Sequence, residues 1–171
     1  MGHHVRAFVG PAQSLAALVA GLPDILARRL HPGSTLLVVP LDEDLHDALH
    51  RLHGTGEWLP RGPRLTSSDF VSAASASRGG ALAYVETDYF GGTGRQSAVV
   101  WHDGDLTLKP VEMSAEEAAT RAPRFWPVNA ALRSLGVTAR ADADEFEVFG
   151  LAACRDIEAL AAAGVPVRLV V

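Results

Sequence analysis

The stretch ALAYVETDYFGGTGRQSAVVWHDGDLTLKPVEM, Ala81 to Met113, decides how this chain folds. ALAYVETDYF and RQSAVVWH are rich in β-branched and aromatic residues and are separated by the glycine-rich GGTG. Such runs read as strands, and a glycine cluster between them reads as a hairpin turn. DGD at 103–105 is a second tight-turn signal, leading into LTLKPVEM. The expectation is a three-stranded antiparallel meander. If Gly91 to Gly94 make a four-residue loop, Phe90 lies opposite Arg95 and Asp88 opposite Ser97. Strand alternation then places Tyr84, Glu86, Asp88, Ser97, Val99 and Trp101 on one face. Val85, Thr87, Tyr89, Gln96, Ala98 and Val100 line the other.

Outward from the meander the pattern changes. VRAFVG (5–10) reads as a short strand, followed by helical spacing at Leu15, Leu18, Val19 and Leu22 after Pro11. DILARRL, after Pro23, reads as a second helical piece stopped by HPG. STLLVVPL is a continuous apolar run that suits a strand buried on both faces. DEDLHDALHRLHG is an amphipathic helix with acids in its first turn and Gly54 at its end. The glycine and proline density of 55–64 marks a loop. In 66–80, Ser68 or Asp69 is positioned to cap a short helix. Ser114 with Glu117 forms a capping-box pattern, PRFWP a bend, VNAALRSLGV and CRDIEALAAAG helices, and VPVRLVV a last strand. DADEFEVFGL fits either helix or loop.

The fold class expected is α/β or α+β, a single domain over residues 1–171. Its sheet is mixed, with parallel units in the first half and the antiparallel meander in the middle, and helices pack on at least one face.

At 171 residues, 48% hydrophobic and 20% charged, the chain is long enough and apolar enough to bury a core. Arginine supplies all the basic residues but Lys109, a bias that suggests a GC-rich bacterial genome. With a formal net charge of −5 and no basic stripe, no nucleic-acid partner is expected. No apolar run is long enough for a bilayer, so no membrane association is expected, and cytoplasmic location is the default. Cys154 stands alone and reads as a buried helix residue, since neither a disulfide nor a cysteine-rich zinc site can form within one chain.

Three groups of residues carry possible chemistry. Glu86 and Asp88, two apart on one strand face, are the candidate catalytic pair: they could share a metal, or one could raise the other's pKa. The bland reading places both acids at the solvated end of an edge strand while Tyr84 and Trp101 pack inward. Gly91, Gly92, Gly94, Arg95 and Gln96 are the candidate ligand-binding set, because glycine permits positive φ and close backbone approach. GGTG lacks the lysine and Ser/Thr of a P-loop and the following helix of a dinucleotide fingerprint, and a plain turn is favoured. His46, His50 and His53 recur along a predicted helix at i, i+4 and i+7, and two histidines four apart can reach one zinc. Leu45, Leu49 and Leu52 form the expected core stripe, which leaves the histidines on the flank or surface. Spacing reveals no third or fourth ligand. The expectation is therefore no metal site and no cofactor, with His46 and His50 as the residues that would hold a metal.

SRGGALAYVETDYFGGTGRQSAVVWHDG, with VNAALRSLGV and DEFEVFGLAACRD downstream, resembles a family of uncharacterised bacterial proteins frequent in actinobacteria. The resemblance covers roughly the C-terminal two-thirds and implies no activity and no catalytic residue. The functional expectation is a cytoplasmic binding or interaction protein of the immunity-like kind, with a protein partner. The alternative is a small enzyme or ligand-binding domain at Glu86, Asp88 and the glycine loop, with or without the assistance of a metal.

Overall fold

The computed structural model describes residues 2–91 and 93–170. Its strands are β1 (His3–Pro11), β2 (Leu26–Arg29), β3 (Leu36–Pro40), β4 (Ala81–Phe90), β5 (Thr93–His102), β6 (Asp105–Ser114) and β7 (Val165–Arg168). Its helices are α1 (Ala12–Leu18), α2 (Glu43–His53), α3 (Ser67–Ala76), α4 (Ala115–Ala119), α5 (Pro127–Ser134), α6 (Glu145–Phe149) and α7 (Ile157–Ala162). All seven strands form one sheet in the order β6-β5-β4-β1-β3-β2-β7. The class is α+β, with the expected meander β4-β5-β6 at one end.

The parallel pairing expected of the first half does not occur: every pairing among the described residues is antiparallel. The order explains why the sequence suggested otherwise. β1 and β2 run in the same direction across α1, but β3 is inserted between them. β3 and β4 run in the same direction across α2 and α3, but β1 is inserted between them. These are split β-α-β units, whose sequence alternation is that of a parallel sheet although no two neighbours are parallel.

The two crossovers place α1, α2 and α3 on one face, where Leu15, Leu18, Leu45, Leu49 and Ala73 meet Phe8, Val39, Tyr84, Val99 and Trp101. The long return from β6 to β7 covers the other face. There Val128, Leu132, Phe149 and Leu160 pack on Val5, Ala7, Val38, Val85 and Val100. Helices thus lie on both faces, and Trp101 and Tyr84 are wholly buried.

Three local expectations need correction, and one segment left open between helix and loop is resolved. DILARRL is not helical: Asp24 has φ 56°, and Leu26–Arg29 pairs residue for residue with Val165–Arg168. That partner lies at the far end of the chain, outside any local window. In the helix over 67–76, Thr66 is the N-cap and Asp69 is its third residue, in a reciprocal capping box. The ambiguous acidic segment is helix α6, started by a capping box between Asp144 and Glu147. Cys154 is buried as expected, but it follows a 3₁₀ turn (Leu151–Ala153) rather than lying in a helix.

The hairpin register also shifts. Phe90 pairs with Thr93, Asp88 with Arg95 and Glu86 with Ser97, so the loop is two residues shorter than expected. A shift of two preserves parity, and both predicted faces survive intact.

Candidate functional site

On the α1–α3 face the core gives way, within one strand step, to a charged shelf. The row Phe8–Tyr84–Val99 is apolar but for the tyrosine hydroxyl. The next row toward the hairpin tip is Arg6–Glu86–Ser97–Glu112, in register across β1, β4, β5 and β6. The row after it is His4–Asp88–Arg95–Ser114. Strand alternation puts all eight side chains on one side of the sheet.

Glu86 is the centre of this shelf and is only 1% exposed, not at a solvated end. Its Oε2 accepts from the Arg64 backbone N–H at 2.9 Å and from the Tyr84 hydroxyl at 3.1 Å. Burial, and then the Glu86 charge, push the Tyr84 phenol well above its usual range. The other oxygen, Oε1, lies 3.6 Å from Arg64 Nε and 3.7 Å from Arg95 Nη2, with no hydrogen bond to either. Arg6 Nε and Ser97 Oγ, its neighbours in the row, are likewise buried without a hydrogen-bond partner among the described residues. Unpaired buried polar groups are uncommon, and three in one row mark a place where the packing is not self-sufficient.

Asp88 does not join Glu86 as a paired-carboxylate site. Arg64 reaches both, with its Nη2 3.7 Å from Asp88 Oδ2, and His4 Nδ1 lies 3.4 Å from Asp88 Oδ1. The two acids serve as anchors for cations. Arg95 is held likewise, donating to Glu112 at 2.6 Å.

Above the shelf the loop over 54–66 folds back and walls one side of an open cavity of about 530 Å³. Arg6, Arg61, Arg64 and Arg95 line it together with Trp58 and Glu112. Four of the chain's 15 basic residues therefore surround one hollow in a protein of net charge −5. A smaller cavity of about 250 Å³ between His31–Leu36 and Leu135–Val137 has only one titratable side chain, His31.

The glycine loop is separate from this hollow. Gly91 and Gly94 have φ of 60° and 129° and serve the turn, and Gly92 lies outside the described residues. Among the described residues of the candidate ligand-binding set, only Arg95 reaches the cavity. Gln96 faces the opposite side, donating to the Tyr89 hydroxyl at 2.8 Å and accepting from Val128 N–H at 3.1 Å, which ties the start of α5 to the sheet.

The three histidines lie along the flank of α2: His53 is exposed, His50 half-buried and His46 buried. His46 is 8% exposed, and it and His50 both turn Nε2 toward Asp69 of α3. His46 Nε2 is 3.2 Å from Asp69 Oδ2, and His50 Nε2 is 3.2 Å from Oδ1. His53 instead meets the Leu18 carbonyl at 3.2 Å. Trp58 covers the pair, its ring 5.6 Å from that of His46 and 6.5 Å from that of His50. Burial alone would raise the Asp69 pKa. Hydrogen bonds from His46, from the Thr66 amide and hydroxyl, and from His50 outweigh it and hold the carboxyl at about 2. Asp69 appeared in the sequence only as a helix cap, and its role as the partner of two histidines 19 and 23 residues upstream had no local signal.

No protein-family model, curated protein or solved structure matches the chain.

Proposed function

We propose that this protein is a binding domain whose site is the arginine-lined hollow over Glu86, and that its ligand is a small molecule carrying a carboxylate or phosphate beside a flat apolar part. The observation that carries the reading is the convergence of Arg6, Arg61, Arg64 and Arg95 on one cavity. A guanidinium has five N–H donors in a fixed fork. Glu86, Asp88 and Glu112 each occupy one side of Arg64 or Arg95, which fixes these side chains and leaves further donors for an anion. Buried Glu86 thus acts as an orienting group, and Trp58, 59% exposed on the cavity wall, offers a face for stacking.

The alternative of a partner-binding, immunity-like protein has less support. The large exposed apolar residues, among them Leu52, Val71, Phe90, Leu106 and Phe125, are distributed over separate elements, whereas partner surfaces concentrate them. No described helix is long and apolar enough to cross a membrane, which suits the cytoplasmic placement included in this proposal.

Phenyl phosphate and inorganic phosphate are suitable probes, read by Trp58 fluorescence and by calorimetry. The expected result is saturable binding of phenyl phosphate that weakens with added salt and falls at least about tenfold in Arg64→Ala and in Arg95→Ala, each losing a charge-assisted contact worth about 1.5–3 kcal/mol. Absence of saturable binding of both probes, or binding that neither substitution changes, would refute the proposal.

A further inference from the structure

We propose that His46, His50 and Asp69 form a binding site for a divalent transition-metal ion of the zinc class, beneath Trp58. The inference goes beyond the anion site and does not depend on it, although Trp58 borders both.

The argument begins with α2. Residues four apart on a helix lie one above the other, so His46 and His50 present their rings together, with centroids 4.0 Å apart. α3 then brings a carboxylate to both. One ligand atom from each of the three side chains can be chosen so that all lie within 4.8 Å of one another. Two imidazoles and a carboxylate are a donor set suited to zinc and its neighbours.

The spacing suits shared coordination as well as the hydrogen bonds that hold the cluster together without an ion. The three His–Asp separations are 3.2, 3.2 and 3.3 Å. Charge-assisted N–H···O bonds settle at about 2.7–2.9 Å. Two donors about 2.0–2.1 Å from a tetrahedral zinc lie about 3.3 Å from each other. The His–Asp separations therefore reach the length of a coordination edge while lying at the long end of the hydrogen-bond range.

The outer contacts suit the same assignment. Asp69 Oδ2 accepts from the Thr66 amide and the Thr66 hydroxyl, both at 2.8 Å. Such contacts fix a ligating carboxylate, which is the usual work of a second shell; both Nε2 atoms lie within 3.3 Å of this same oxygen, and Oδ1 is a further 3.2 Å contact of His50. Three protein ligands leave a coordination position for water or an added ligand. Side-chain exposures of 10% for His46 and 14% for His50 leave the cluster reachable from outside.

The test is titration of the full-length chain with Zn²⁺ after chelator treatment, followed by calorimetry and by ¹⁵N NMR of the histidine rings. One equivalent should bind, and the His46 and His50 Nε2 resonances should move to metal-bound positions while Nδ1 carries the proton. His50→Ala and Asp69→Asn, checked for folding by circular dichroism, should each weaken Zn²⁺ binding more than about tenfold, because an inner ligand counts for at least as much as an outer one. The double variant His3→Ala/His4→Ala should bind as the parent does. No saturable uptake, uptake that His50→Ala and Asp69→Asn leave unchanged, or uptake lost with His3 and His4 would overturn the assignment. If either ligand variant fails to fold, the ring resonances of the unsubstituted chain decide: Nε2 signals unmoved by Zn²⁺ would overturn it equally.

Discussion

Replacing Gly91 and Gly94 separately by alanine should give two very different results, because the two turns of backbone meet different surroundings. Gly91 has φ 60°, and a Cβ there meets nothing within 4 Å. The cost is the left-handed conformation alone, about 1–2 kcal/mol, partly offset by about 0.4–1 kcal/mol because alanine also restricts the unfolded chain. A net loss of about 1 kcal/mol shifts the melting temperature of a chain this size by about 2–4 °C. Gly94 has φ 129°, a region that side chains rarely enter, and its Cβ would collide with the Asp88 carbonyl oxygen and approach Tyr89 Cα to 2.7 Å. Both obstacles are backbone of the paired strand, so relief requires opening the Asp88–Arg95 and Tyr89–Gly94 pairs. That adds strain of about 1–3 kcal/mol to the conformational term, about 2–4 kcal/mol in all, and should lower melting by about 4–16 °C. Thermal unfolding followed by circular dichroism reads both. Because Asp88 and Arg95 belong to the charged shelf, Gly94→Ala should also weaken phenyl phosphate binding, while Gly91→Ala should not. Equal melting temperatures for the two variants, or a milder effect at Gly94, would refute this account of the turn.

Two further outcomes follow from the buried titratable groups. In chelator-treated protein, Asp69→Asn should be less stable than the parent above pH 3.8, and the gap should close as pH falls through about 2. The sign follows from a carboxyl whose folded pKa is depressed: its stabilisation is complete above the unfolded value and disappears once the folded form is protonated. A gap that stays constant down to pH 2 would mean that the charge is not what matters. Burial, and then Asp156, push the Cys154 thiol up, so iodoacetamide should alkylate it slowly in the native state and rapidly after unfolding. Rapid native alkylation would contradict its placement against Leu151 and Leu160.

The meander could be read from sequence because its signals are local: alternation, glycine and DGD each act within a few residues. The strand order could not. β2 exists because Leu26–Arg29 finds Val165–Arg168, about 140 residues away, and its own four residues contain two arginines and no β-branched side chain. The site divides the same way. Glu86 and Arg95 stood out beside the hairpin, and the His46–His50 spacing stood out on its helix. Arg6, Arg64 and Trp58 did not, because each occupies a strand or loop position with no pattern of its own. Asp69 carried a capping signal that fully explained it locally and so concealed its second role.

The location of both sites has one cause in the lengths of the elements. β4, β5 and β6 are each 10 residues long, whereas β3 has five and pairs with β1 only from Ala7 onward. Apolar rows persist as far as α2 and α3 lie over them, and Tyr84 is the last such row. Beyond it β4, β5 and β6 continue under the loop over 54–66, while the acidic start of α2, Glu43 and Asp44, stands beside Arg6 and His4 at β1. A sheet face left uncovered must either become polar or be shielded by a loop, since exposed apolar rows would pair or aggregate. Here both occur: the rows of Arg6 and His4 are charged, and the loop over 54–66 returns to lay Arg64 and Trp58 across them. Covering charges with a loop rather than a helix leaves space between them, and that space is the cavity. The same loop sets Trp58 against the histidines of α2, so the arginine hollow and the His46–His50–Asp69 cluster are two consequences of one incomplete helical layer.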